Sequence, residues 1–143
     1  MGGSGIERES VMSNPQPEPQ SDREESLVVY FLVLLRKGPR WTPESTPEIE
    51  ATQAAHLAYM DRLHAEGKLL LAGPFIDSPV DDLRGLTVLA AESHEEALAL
   101  TAGDPAVQAG RLTMDVIPWA TAAGQLAKDG IPLPAFLAAR RKE

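Results

Sequence analysis

The 143 residues predict an α+β fold of order β-α-β-β-α-β, with a four-stranded antiparallel sheet and two helices on one of its faces. Two observations lead there. Strand-like apolar runs are separated by Gly and Pro breakers, and two stretches with helix-start chemistry interrupt them at the second and fifth places in the order.

Leu27–Leu35 (Leu-Val-Val-Tyr-Phe-Leu-Val-Leu-Leu) is rich in β-branched and aromatic residues and is bounded by Arg36-Lys37-Gly38-Pro39, which marks a strand. Thr46-Pro47-Glu48 supplies a hydroxyl N-cap, a proline for the first helical position and an acid for the first turn. Ile49, Gln53, His56, Met60 and Leu63 then recur at steps of four and three, and Gly67 is the stop. Lys68–Phe75 reads as a second strand ending in Ala-Gly-Pro-Phe, followed by the loop Ile76–Leu83 with Asp77, Asp81 and Asp82. Gly85–Ala91 is the third strand. Ser93-His94-Glu95-Glu96 is a capping box opening a helix that runs to Thr101. Asp104-Pro105 starts a further helical turn closed by Gly110, and Leu112–Trp119 is the fourth strand. This order is the ferredoxin-like split βαβ arrangement.

The first strand is apolar at every position, so it presents apolar side chains to both faces of the sheet while the helices shield one. A second copy of the same sheet is the expected cover, and a homodimer follows.

Charge divides the chain into three zones: 1–26 at net −4, 27–120 at net −6 and 121–143 at net +2. The first, acidic and carrying Pro15, Pro17 and Pro19, has too little apolar content to offset its ordering entropy and is expected to be a disordered tail. Its opening Met-Gly-Gly-Ser-Gly reads as an added leader or an upstream start, with Met12 the alternative first residue. The middle zone is the folded domain. The last is expected to be a loosely packed tail, or else a docking segment built on Ile131-Pro132-Leu133-Pro134-Ala135-Phe136-Leu137.

With no cysteine the chain has no disulfide, thiolate metal site or cysteine nucleophile. A net charge of −8 argues against a nucleic-acid binder, and no apolar run approaches membrane-helix length. No signal-peptide profile is present, so the expected location is the cytoplasm. Dinucleotide, phosphate-loop, zincin and nucleophile-elbow motifs are missing, and the spacing of His56, His64 and His94 does not suit a metal, so neither cofactor nor metal is expected.

His56 occupies an apolar stripe where leucine is the ordinary occupant. It is either a core histidine satisfied by a backbone carbonyl or a proton-transfer group in a pocket between helix and sheet. Asp104 is either the N-cap of its turn, or a cap that also orients an imidazole through its second oxygen. Gly73 and Pro74 either end the second strand or form a pocket wall. His64 and His94 read as solvated.

His56 within Ala-Ala-His-Leu-Ala-Tyr-Met-Asp-Arg-Leu, Gly73-Pro74 after a Leu-rich strand, Gly85 before the third strand, and Asp104-Pro105 followed by Gly110 together resemble the YCII-related (YciI-like) proteins over roughly Val28–Trp119. The resemblance implies a dimeric α+β barrel with a pocket where a helix-borne histidine meets the aspartate of an Asp-Pro turn; His56 and Asp104 match those positions. A dehydrochlorinase acting on a chlorinated hydroxyquinol belongs to the family, and muconolactone isomerases share its architecture. The chain departs from the shortest members in its two tails and in the loop Arg36–Ser45, which includes Trp41.

The expected function is therefore cofactor-free proton transfer on a small molecule, by a lyase or isomerase in which His56 moves the proton and Asp104 holds its tautomer. Strand and loop position nominate Tyr30 and Phe75 as pocket lining and Arg36 or Arg40 as the partner of an anionic substrate group. The alternative is a non-catalytic dimeric module that binds a small ligand or assists a neighbouring enzyme.

Overall fold

A computed structural model describes residues 27–125 and 132–141. The expectations for residues 1–26, and for the part of the C-terminal zone at 126–131, lie outside them. The chain divides into two units: 28–121, and a second whose described residues are 27, 122–125 and 132–141.

From 27 to 122 the elements are β1 (Leu27–Lys37), α1 (Pro47–Ala65), β2 (Leu69–Pro74), β3 (Leu83–Leu89), α2 (His94–Ala102), α3 (Pro105–Gln108) and β4 (Leu112–Ala122). The sheet order is β2-β3-β1-β4, the ferredoxin-like order. β3 pairs antiparallel with both β1 and β2. The end of β1 lies beside the start of β4, where Gly38 N–H donates to the Arg111 carbonyl at 2.8 Å.

Alternation along β1 sorts its side chains. Phe31, Val33 and Leu35 are buried and stand opposite Leu89, Thr87 and Gly85. Leu32 and Leu34, opposite Val88 and Leu86, point to the other face. The first set joins Leu63 of α1, Leu69, Leu89 and Ala97 of α2 in the core, with Tyr59, Met60, Leu100, Met114 and Val116 packed against it.

The cap chemistry is local and complete. Thr46 accepts the Ile49 N–H at 3.1 Å, Pro47 opens α1, and Gly67 turns the chain out at φ +77°, a region that favours glycine. Ser93 accepts the Glu96 N–H at 3.0 Å, while the Glu96 carboxylate reaches one residue past the cap, to the Glu92 N–H at 2.7 Å. His94 is exposed, and one side of its ring stacks on Phe31 with centroids 5.7 Å apart.

Among the described residues of the second unit is a helix, α4 (Leu133–Arg141), none of whose residues is buried. Arg140 and Arg141 in its last turn complement the helix dipole. No helix among the described residues is long and apolar enough to cross a membrane.

Candidate functional site

α1 spans 19 residues, yet Leu63 is its only fully buried one. Facing its middle, β2 offers Ala72, Gly73 and Pro74, which bring too little side-chain volume to fill the space between helix and strand. The result is an open cavity of about 620 Å³, in the size range of small-molecule sites. Gln53, His56, Leu57 and Met60 line it from α1, Leu71 to Pro74 from β2, and Leu35 and Thr87 from β1 and β3.

His56 joins the cavity to the core. Its side chain is 12% exposed and lines the cavity, while its Nδ1 lies 2.8 Å from Oδ1 and 2.9 Å from Oδ2 of Asp104. Asp104 is fully buried. It caps α3, with Oδ1 accepting the Ala106 N–H at 2.9 Å, and Pro105 takes the first helical position. One carboxylate thus performs both tasks, capping a turn and holding an imidazole. Both oxygens lie on the Nδ1 side, so Nδ1 is the donor to them, and in the neutral form of the ring Nε2 carries the lone pair.

Gly73 and Pro74 line the same cavity as His56. Tyr30, Arg36, Arg40 and Phe75 are not among its lining residues. Arg36 points elsewhere, with Nε 2.8 Å from Asp115 and Nη1 3.2 Å from Asp82, and the hydrogen bond to Asp115 is the main cause that raises its guanidinium above the usual range. Alternation places Tyr30 on the face of β1 opposite Phe31, away from the helices. Phe75 lies just past the end of β2 and is exposed.

Two arginines that the sequence did not single out line the cavity instead, Arg84 of β3 and Arg111 just before β4. With Lys37 they surround Trp41, at 5.4, 6.0 and 4.4 Å from its ring centroid. The Trp41 loop is tied down by its main chain. Arg40 N–H donates to the Gly110 carbonyl at 2.8 Å, Trp41 N–H to the Gly38 carbonyl at 3.1 Å, and Arg111 Nη1 to the Thr42 carbonyl at 3.2 Å. Among the described residues, no three His, Asp or Glu side chains come together as a metal site.

The model of the YCII-related domain matches residues 29–120, most of the chain and every element from β1 to β4. The chain belongs to the YCII-related family. A YCII-related relative, the uncharacterized protein YjpA of Bacillus subtilis (strain 168), is 36% identical over 66 residues, which is 46% of this chain and 73% of that protein. Among solved structures the chain is similar to the 5-chloro-2-hydroxyhydroquinone dehydrochlorinase of Burkholderia phenoliruptrix AC1100, in complex with 2,5-dihydroxybenzoquinone. That match has 29% identity and a TM-score of 0.47, and it covers 63% of this chain and 92% of that one. The YCII-related match includes His56 and Asp104, the cavity wall at Gly73-Pro74, and Arg84 and Arg111.

Proposed function

We propose that this YCII-related chain is a cofactor-independent proton-transfer enzyme, a lyase or isomerase acting on a small organic molecule. The observation that carries the reading is the clasp of His56 Nδ1 by both oxygens of a buried carboxylate at the wall of a ligand-sized cavity. His56 Nε2 takes a proton from a carbon or hydroxyl of the substrate. The electron pair either expels a leaving group from the neighbouring atom, as chloride leaves in a dehydrochlorination, or shifts along the molecule and is reprotonated at another position. Asp104 is a positioning residue, which fixes the ring tautomer and offsets the positive charge on the imidazolium.

We also propose that a second copy covers the sheet face opposite the helices. By alternation Ile117 and Trp119 of β4 stand on that face, and they are 41% and 44% exposed.

The test is turnover of a panel of hydroxyquinols and lactones that includes 5-chloro-2-hydroxyhydroquinone, with His56→Gln and Asp104→Asn alongside the natural chain. The expected result is turnover of at least one compound, abolished by His56→Gln and lowered roughly 10²- to 10⁴-fold in kcat by Asp104→Asn. Full turnover in both variants overturns the mechanism. Thermal stabilisation by panel compounds with no turnover of any of them favours a binding module instead.

A further inference from the structure

The cavity wall carries a charge pattern that proton transfer by His56 does not use. In a chain of net −8, the arginines Arg36 and Arg62 each stand within 4 Å of a carboxylate. Arg84 and Arg111 differ: among the described residues neither has a carboxylate partner, although both line the cavity, where Asp61 is the single acid. Both are held against the ring of Trp41, and Arg111 is further fixed by the carbonyl and hydroxyl of Thr42 at 3.2 and 3.4 Å. The third cation on that ring, Lys37, lies outside the cavity lining and pairs with Asp81 at 3.3 Å.

We infer that Arg84 and Arg111, backed by Trp41, form an anion-recognition site at the wall of the His56 cavity, and that the molecule bound there is a small organic acid. Two guanidiniums restrained by a ring face and a backbone carbonyl keep N–H donors in fixed forks, which a planar carboxylate accepts in bidentate fashion. Trp41 adds an apolar plane for the carbon skeleton beside the acid group. The inference deepens the proton-transfer reading by naming the class of its substrate, and rests on that reading only for the substrate's being turned over; the binding is measured without turnover.

Calorimetric titration of the full chain compares benzoate with benzamide, which share a ring and differ in charge, and adds phenyl phosphate. The expected result is benzoate bound roughly tenfold tighter than benzamide, a preference that shrinks as salt is added. Arg84→Gln, which removes an exposed guanidinium set over the Trp41 ring, brings the two ligands to near-equal affinity, and Arg111→Gln does the same. Lys37→Gln leaves the preference intact, which separates the cavity-lining arginines from cation loss at the ring in general. His56→Gln also leaves it intact, so a failure of the catalytic reading and a failure of this one are distinguishable. Equal affinity for acid and amide in the natural chain, or a preference that survives Arg84→Gln or is lost in His56→Gln, overturns the assignment. Tighter binding of phenyl phosphate than of benzoate overturns the carboxylate class.

Discussion

His56 and Asp104, 48 residues apart in the chain, meet with Nδ1 at 2.8 and 2.9 Å from the two carboxylate oxygens, at the boundary between core and cavity. Each is the other's main compensation for burial. Without His56, the carboxylate keeps the Ala106 N–H as its remaining partner among the described residues; without Asp104, the imidazole loses its bond and α3 its cap.

His56→Ala and Asp104→Ala are therefore expected to cost about 2–4 kcal/mol each, because each leaves a buried polar group short of a partner. The double variant costs less than the sum of the two, by at least about 1 kcal/mol, since the second removal relieves what the first left unpaired. Urea unfolding of the four proteins measures the cycle, and strictly additive losses contradict a coupled pair.

Gly85 and Gly73 stand opposite each other's neighbourhood in the sheet but differ in room. A Cβ on Gly85 meets the Gly73 carbonyl oxygen at 2.6 Å and Pro74 Cα at 3.1 Å, whereas one on Gly73 meets nothing within 4 Å. Gly85→Ala should force β2 and β3 apart and cost roughly 2 kcal/mol or more, while Gly73→Ala, which only narrows the cavity, should change stability by less than about 1 kcal/mol. Thermal or chemical denaturation decides the order.

The pH dependence of stability has two identifiable limbs. Burial pushes the Tyr59 phenol above its ordinary 10.0, and its hydroxyl donates to the Leu100 carbonyl at 2.8 Å. Its contribution is complete below about pH 10 and is lost as pH rises through the folded value. Tyr59→Phe flattens that alkaline limb. On the acid side, the Glu92 N–H first and the Lys68 ammonium second hold the Glu96 carboxyl below 4.5. That contribution is present above 4.5 and fades as pH falls through the folded value, so Glu96→Gln flattens the acid limb. Denaturation midpoints collected from pH 3 to pH 11 test both.

If a second sheet covers the face bearing Ile117 and Trp119, an acidic side chain there separates the copies without disturbing the core behind it. Ile117→Asp and Trp119→Asp are each expected to convert a dimer to a monomer in sedimentation velocity, with the far-ultraviolet dichroism of the natural chain retained. A monomeric natural chain removes the premise.

How much of this was legible in the sequence depended on the range of the signal. Caps, strand runs and glycine stops are local, so the element order and both helix starts follow from neighbouring residues, with ends displaced by a residue or more. β1 continues to Lys37, β3 begins at Leu83 rather than Gly85, and β4 runs to Ala122 rather than Trp119. The polar residue in an apolar stripe and the aspartate before a proline were also local signals, which is why His56 and Asp104 could be singled out. Arg84, Arg111 and Trp41 carry no such mark. They come together because the ends of β1, β3 and β4 meet beside one another, and that depends on register: a bulge between Leu35 and Arg36 sets Arg36 opposite Leu83. The same register explains why Arg36, chosen for its place at the end of a strand, is taken up by Asp82 and Asp115.

Trp41 is anchored by bonds that belong to the peptide backbone: Gly38 to Arg111, Arg40 to Gly110 and Trp41 to Gly38. None of them depends on which side chain sits at position 41. The packing between Gly38 and the Gly110 carbonyl, too close for a side chain on Gly38, closes the attachment at its root. Residue 41 is thus an exchangeable part on a fixed mount. Descendants of this chain, or a designer working from it, can replace the indole with a smaller, larger or charged group and retune what the cavity admits while the sheet, the helix and the imidazole stay where they are.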